Sequence, residues 1–340
     1  MTDKNFPRRT LLRGGMAAAV SSAAGFSMLM GAGTARAQAA GYPNRPIRIL
    51  IGTPPGDTAD SWVRQLSGGM TAVLGQPIII DNKPGAHGMI VGTAAKTAPS
   101  DGYTLLASTG GPMSINPSVY KEKLSYDPLK DFVAIAPVTR GGLFLYCNND
   151  VPVKNIKDMV AWVKARPGKV SYGSGGTGTT QHLAMEQLKK ATGMEMTHVP
   201  YRGSPMVLQD VIGGQIPFAF DAGGSLLPQA RNGKVRVIAV TTPQRYSGMP
   251  EVPTLAEQGV ANFEARVWMG IFAPAGTPAE IVARVNEAVT KVAAGPEFSA
   301  RMTAAGGESW TGSSEDLRKF LVADIARWAE VVKAAGVQPE

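Results

Sequence analysis

Cysteine is almost absent: Cys147 is the only one in 340 residues. A lone thiol excludes a disulfide framework. The three histidines, His87, His182 and His198, lie far apart and give no metal-ligand spacing with it. Neither Ser174 nor Ser225 sits in a Gly-x-Ser-x-Gly elbow, because Tyr172 stands two residues before the first and Leu227 two after the second. After residue 40 there is no apolar run of membrane-spanning length, no exact repeat and no low-complexity segment. An excess of one charge is missing too, once the N-terminus is set aside.

Residues 1–37 are expected to be an export signal. Arg8-Arg9-Thr10-Leu11-Leu12-Arg13 is a twin-arginine pattern, a weakly hydrophobic Ala/Met/Gly stretch follows, and Ala35-Arg36-Ala37 supplies small residues for cleavage. The formal charge of +8 includes five basic residues and one acid from that leader, so 34 less 5 leaves 29 basic residues and 26 less 1 leaves 25 acidic. A dispersed balance of about +4 argues against a nucleic-acid partner. About 300 remaining residues suffice for two lobes.

The stretch that organises the chain is 47–66. Residues 47–51 are a β-branched and aliphatic run, expected as a buried strand. Thr53-Pro54-Pro55-Gly56 breaks it, because neither proline can donate to a sheet ladder. Asp57 or Thr58 can cap the next helix, whose Trp62, Leu66 and Met70 share one face. Strand, loop and capped helix aim free backbone N–H groups at an anion. The loop has no Gly-x-x-x-x-Gly-Lys-Ser/Thr pattern and no lysine, which excludes a triphosphate loop.

The same logic recurs along the chain. Strands are expected at 77–80, 103–107, 169–172, 198–201, 218–221 and 235–240, and helices at 153–165, 181–192, 206–212, 279–294 and 315–335. The segment 133–148 is strand-like, and 250–278 is Pro/Gly-rich. Small-residue loops follow the strands at Ser108-Thr109-Gly110 and at 173–180. The alternation predicts an α/β fold whose sheets are mainly parallel and flanked by helices, with ligands beyond the carboxyl ends of the strands. Two Gly/Ser/Thr cradles, one per lobe, suit a small molecule with two negative ends, held by hydrogen bonds of about 1.5–3 kcal/mol each.

Other readings stand beside this one. Gly173-Ser-Gly-Gly-Thr-Gly178 matches the dinucleotide fingerprint, although Arg202 stands where its acidic residue belongs. His182 is a packed or capping histidine, or a base. Asp60 and Asp221 either orient a ligand or cap a helix. Arg64, Arg140, Arg202 and Arg266 are candidate carboxylate clamps.

The chain as a whole resembles the solute-binding proteins of tripartite tricarboxylate transporters, also called Bug proteins. The resemblance rests on Tyr42-Pro-Asn-Arg-Pro-Ile-Arg, Pro54-Pro-Gly56 with Asp60, Asn82-Lys-Pro-Gly85, Asp101-Gly-Tyr-Thr-Leu105, Tyr126-Asp-Pro128 with Asp131-Phe132, His198-Val-Pro-Tyr-Arg-Gly203, and Pro253-Thr254 with Glu257 and Gly259. It implies a two-lobed periplasmic-binding-protein-like fold of Venus flytrap type, with lobe I from 42–140 plus 250–340 and lobe II from 141–249. It implies a monomeric, non-enzymatic periplasmic receptor, without cofactor, that delivers a carboxylate or dicarboxylate, aromatic acids included, to a membrane permease. The residues it carries over are Thr53, Pro54, Gly56, Asp57, Thr58, Ser108, Thr109, Gly110, Ser174, Gly175 and Thr177, with Asp221 added. Two positions depart from the family pattern. Thr53 replaces an aromatic, and Asp57 replaces a second glycine, so Asp57 either caps the helix or meets a ligand that carries a donor. A nucleotide-dependent enzyme using the same cleft, and a sensor serving a signalling partner, are the alternatives.

Overall fold

Strand β1 (Ile47–Ile51) buries Ile47, Ile49, Leu50 and Ile51, as expected of a strand covered on both faces. The computed structural model describes residues 41–263 and 265–337, so the expected leader, 1–37, lies outside the described residues. From residue 45 onward the described residues pack as one compact unit. β1 pairs in parallel with β2 (Ile78–Asn82) and β3 (Thr104–Thr109). Helices α1 (Thr58–Leu74) and α2 (Met89–Lys96) make the crossovers that parallel neighbours require.

Beyond β3 the direction changes. β10 (Arg266–Pro274) runs antiparallel to β3 and to β4 (Phe132–Gly142), and β11 (Glu308–Ser309) runs antiparallel to β4. The first sheet has the order β11-β4-β10-β3-β1-β2. The second has the order β7 (Thr197–Pro200), β6 (Ser171–Ser174), β8 (Phe218–Asp221), β5 (Phe144–Cys147), β9 (Arg236–Val240). There β6 is parallel to β7 and β8, with α5 (Thr180–Thr192) and α6 (Ser204–Ile212) as crossovers, while β5 is antiparallel to β8 and β9. The expected two α/β layers are present, but the sheets are mixed rather than mainly parallel. Every strand that changes sheets lacks a crossover helix. β4 passes to β5 through Leu143 alone, and β10 returns from the second sheet to the first.

The two crossings are stitched together by one side chain. Thr241, fully buried, accepts from Leu143 N–H through Oγ1 at 2.7 Å and donates to the Ala265 carbonyl at 2.6 Å. The hydroxyl thereby joins the outgoing strand to the returning one. A third connection is α10 (Ser314–Ala335), which opens with a Ser313/Asp316 capping box. Its first half packs Leu317 and Leu321 on Trp268 and Phe272 of β10. Gly270 leaves the room, since a Cβ there would lie 2.8 Å from Leu317. Buried Asp324 accepts from Trp268 Nε1 at 2.9 Å and pairs with Arg327 at 2.7 Å. Its second half carries Trp328 and Val332 into a cluster with Ile115, Val119, Tyr120 and Leu183 of α5. At 22 residues, roughly 33 Å long, the helix reaches from one sheet to the helical layer of the other. Among the described residues no helix is long and apolar enough to cross a membrane.

At the end of β8, Asp221 is fully buried. It accepts from Gly223 N–H at 2.6 Å and from the Ser225 hydroxyl at 3.4 Å, bracing the turn into α7 (Leu226–Arg231). Burial first, and the nearby Asp57 charge next, push its pKa up from 3.8 to about 6, against the Gly223 amide, which lowers it.

Two predictions follow from these buried groups. Thr241→Val keeps the shape but strands a buried N–H and a buried C=O, so it costs about 1–3 kcal/mol, read as a lowered Tm. An unchanged Tm would show that the two crossings do not depend on this hydroxyl. For Asp221, the folded form holds a proton that the unfolded chain releases near 3.8. Its contribution is therefore full below 3.8 and is lost as pH rises through about 6. In denaturant titrations across that range, Asp221→Asn flattens the decline relative to the parent chain; parallel pH profiles would contradict the assignment.

Candidate functional site

The loops at the carboxyl ends of both sheets surround a cleft of about 780 Å³, a drug-sized volume. One wall comes from 51–62, 84–90 and 107–116. The other comes from 175–181, 201–206 and Ala222.

The first wall is built around the Thr53–Thr58 turn. Gly56 adopts φ +84°, the left-handed region that a side chain resists. Asp60 closes the turn from below by accepting from Gly56 N–H at 3.0 Å. Asp60 is itself gripped by Arg64 Nε at 3.0 Å to both oxygens and by Asn82 Nδ2 at 2.8 Å. Asn82 also donates to the Thr53 carbonyl at 2.9 Å. Burial opposes the Asp60 charge, but the Arg64 and Asn82 hydrogen bonds outweigh it and hold the carboxyl below its ordinary range. Asp60 and Arg64 therefore frame the loop rather than face the cleft.

Asp57 caps α1, accepting from Ala59 N–H through Oδ1 at 3.2 Å. Its other oxygen crosses to the second wall and accepts from Ser204 N–H, the first residue of α6, at 3.4 Å. It is 8% exposed. Burial raises its pKa, against the Ala59 and Ser204 amides. Beside it, Thr58 Oγ1 accepts from Gly224 N–H at 3.1 Å. Both side chains thus tie the first helix to the second sheet.

The glycine-rich loop of the second wall is organised inward. The Ser174 hydroxyl donates to the Gly176 carbonyl at 3.0 Å, accepts from Gly176 N–H at 3.2 Å and meets His198 Nε2 at 2.7 Å. His182 Nδ1 accepts from Gly178 N–H at 3.1 Å, and its ring stacks on His198 with centroids 3.8 Å apart. Burial, then His198, Lys189 and His87, drive its pKa down to about 3. It is a neutral acceptor that pins the loop, not a base. From the first wall, Tyr120 OH donates to the Thr177 carbonyl at 3.2 Å. His87, itself at φ 53°, stacks on Tyr120 at 5.0 Å. A Cβ on Gly176 would lie 3.0 Å from the His87 ring, and one on Gly178 would lie 3.5 Å from Val119. These glycines serve the approach of one lobe to the other, on the face where the fingerprint reading needs a pyrophosphate.

Of the residues singled out from sequence, Thr53, Pro54, Asp57, Thr58, Ser108, Thr109, Gly110 and Gly175 line the cleft. Gly56, Ser174, Thr177 and Asp221 do not. Gly56 makes the turn, Ser174 and Asp221 are spent on their own loops, and Thr177 is packed under Tyr120. Among the candidate clamps, Arg64 pairs with Asp60, while Arg140 and Arg266 pair with Glu308 at 2.7 and 3.8 Å. Arg202 alone of the four lines the cleft, and it is exposed there.

Sequence reasoning missed Trp62, His87, Gln181, Tyr201 and Ser204, all on the wall. Tyr201 and Ser204 follow a strand end, a signal that was available. Trp62 had no such signal, since its spacing with Leu66 and Met70 marks a core face. Three cleft-lining side chains hold buried polar atoms without a partner: Thr53 Oγ1, Trp62 Nε1 and Ser108 Oγ. Ser108 is 4% exposed and Trp62 1%. Among the described residues no group of three His, Cys, Asp or Glu could hold a metal.

Comparison with known proteins identifies the family. The model of the tripartite tricarboxylate transporter family receptor, TctC, matches residues 62–337. A UPF0065 protein of Bordetella pertussis is 33% identical over 316 residues, covering 92% of this chain and 96% of the relative. The solved structure of R. palustris Rpa4515 with adipate superposes with a TM-score of 0.86 at 33% identity, covering 88% of this chain and 100% of the other. The periplasmic binding protein BugD does so at 0.83 and 31%, covering 88% and 100%. By its family model and by these relatives, the chain belongs to the tripartite tricarboxylate transporter receptor family, TctC, which includes the Bug proteins.

Proposed function

We propose that this chain is a periplasmic, non-enzymatic receptor that captures a small carboxylate in the cleft and hands it to the permease of a tripartite transporter. The observation that carries the reading is the set of unpartnered atoms on the first wall: Thr53 Oγ1, Trp62 Nε1 and Ser108 Oγ. A buried polar atom without a partner costs about 1–3 kcal/mol, so three beside one cavity call for a polar occupant. An indole N–H can only donate, and two hydroxyls can; together they match the oxygens of an anion. Among the described residues, exposed Arg202 adds the single arginine or lysine charge of the wall. Ser108 has no base hydrogen-bonded to it, which supports holding over turnover. Adipate bound to the related Rpa4515 is in keeping with an acid as ligand.

The working parts are a lobe from 42–140 plus 250–340 and a lobe from 141–249, acting as a monomer. Contacts of Asp57, Thr58 and Tyr120 with Ser204, Gly224 and Thr177 hold the lobes together when a ligand shifts the population toward closure. A twin-arginine leader over 1–37 accounts for the export. Aromatic acids fall within the ligand range, given the apolar residues on the walls.

A thermal-shift screen of mono- and dicarboxylates, aliphatic and aromatic, tests the reading. At least one acid raises Tm, and Ser108→Ala and Trp62→Phe each weaken that acid by roughly tenfold in calorimetry while the fold is kept. A flat screen, or two variants of unchanged affinity, would contradict it.

A further inference from the structure

We infer that Asp57 makes the cleft select an acid whose far end is a hydrogen-bond donor over a diacid of the same length. The inference rests on the carboxylate reading above and narrows it.

Among the described residues, Asp57 is the only acidic side chain lining the cleft. It is fixed rather than mobile: 8% exposed, with one oxygen on the Ala59 amide and the other on the Ser204 amide. The N-terminus of α6, nine residues long, is the natural seat on the second wall for an incoming negative group. A resident carboxylate already sits on it. Gly203, at φ +123°, brings the α6 terminus against Pro54, where a Cβ would lie 2.9 Å from the proline ring, so the seat is closed by packing as well as by charge. A second ligand carboxylate at this end would meet a like charge in a partly dehydrated site, where such repulsion is weakly screened.

A donor meets the opposite situation. An ionised carboxylate offers about four lone-pair positions, and the two amides occupy two of them. A hydroxyl, amide or ammonium from the ligand can take another. On the same wall as Asp57, Ser108 Oγ, 4% exposed and unpartnered, and the Trp62 N–H are left to receive the ligand's own carboxylate. The walls also present Ile90 and Met206, 50% and 53% exposed, one from each wall, which suits an apolar spacer. The cavity of about 780 Å³ leaves room for one.

The test is calorimetry on the whole chain with two matched series, ω-hydroxy acids and α,ω-diacids of four to eight carbons. In the parent chain the tightest hydroxy acid binds at least tenfold more tightly than the diacid of its length. Asp57→Asn and Asp57→Ser, both of which keep an N-cap acceptor, bring that ratio below threefold, chiefly through tighter diacid binding; circular dichroism and Tm report that each variant is folded. A parent chain that binds the diacid as tightly or more tightly, or a ratio that neither variant moves, overturns the role of Asp57 and leaves the carboxylate receptor standing. Absence of binding by every member of both series overturns the role of Asp57; the carboxylate reading falls only when the thermal-shift screen, aromatic acids included, is flat as well.

Discussion

A backbone amide buried at the end of a strand must find an acceptor, and this requirement shapes the molecule around its cleft. The two sheets aim several such amides at one another, and the chain satisfies most of them itself. Asp60 takes Gly56, Asp57 takes Ala59 and Ser204, Thr58 takes Gly224, Ser174 takes Gly176, His182 takes Gly178 and Asp221 takes Gly223. The donors of these loops are already used. Among the described residues three side-chain atoms remain unpartnered on the cleft wall, all on the lobe that begins with β1. The unpartnered polar atoms of the cleft are thereby hydroxyl and indole groups of one lobe.

That division explains which parts were legible in sequence. The unit from β1 through α1 was readable because its signals are local: an aliphatic run, two prolines, a positive-φ glycine and a capping aspartate. The same holds for β3 with Ser108 and for β6 with its glycines. The direction of the sheets was not readable. The β-loop-α rhythm truly describes β1 to β3 and β6 to β8, but β4, β5, β9 and β10 pair antiparallel across the crossings. β10 lay hidden in a stretch rich in proline and glycine, although Val267, Trp268, Met269, Ile271 and Phe272 form the unbroken apolar run of a strand buried on both faces.

Some of the expected site residues do not line the cleft, for a related reason. Ser174 and Thr177 were chosen as donors of a cradle, a sound expectation for an isolated strand-loop-helix. Tertiary structure spent them: His198 and Gly176 claim the Ser174 hydroxyl, and Tyr120 sits on the Thr177 carbonyl. Trp62 failed in the opposite sense. Its position on the apolar face of α1 is what the spacing says, yet the residue also lines the cavity and its buried N–H has no partner. No helical period distinguishes a core tryptophan from one that borders a ligand. Asp57 stood as a choice between helix cap and ligand partner, and the geometry gives it the cap, a second cap across the cleft, and a place on the wall.

The most direct measurement of this account is a crystal structure of the chain with an acid that raises its Tm. The account predicts the ligand's carboxylate within hydrogen-bond distance of Ser108 Oγ and Trp62 Nε1, with Asp57 still on the Ala59 and Ser204 amides. A carboxylate seated on the amides of residues 175–178, with Ser174 turned outward to meet it, would contradict the claim that the chain fills those nests itself.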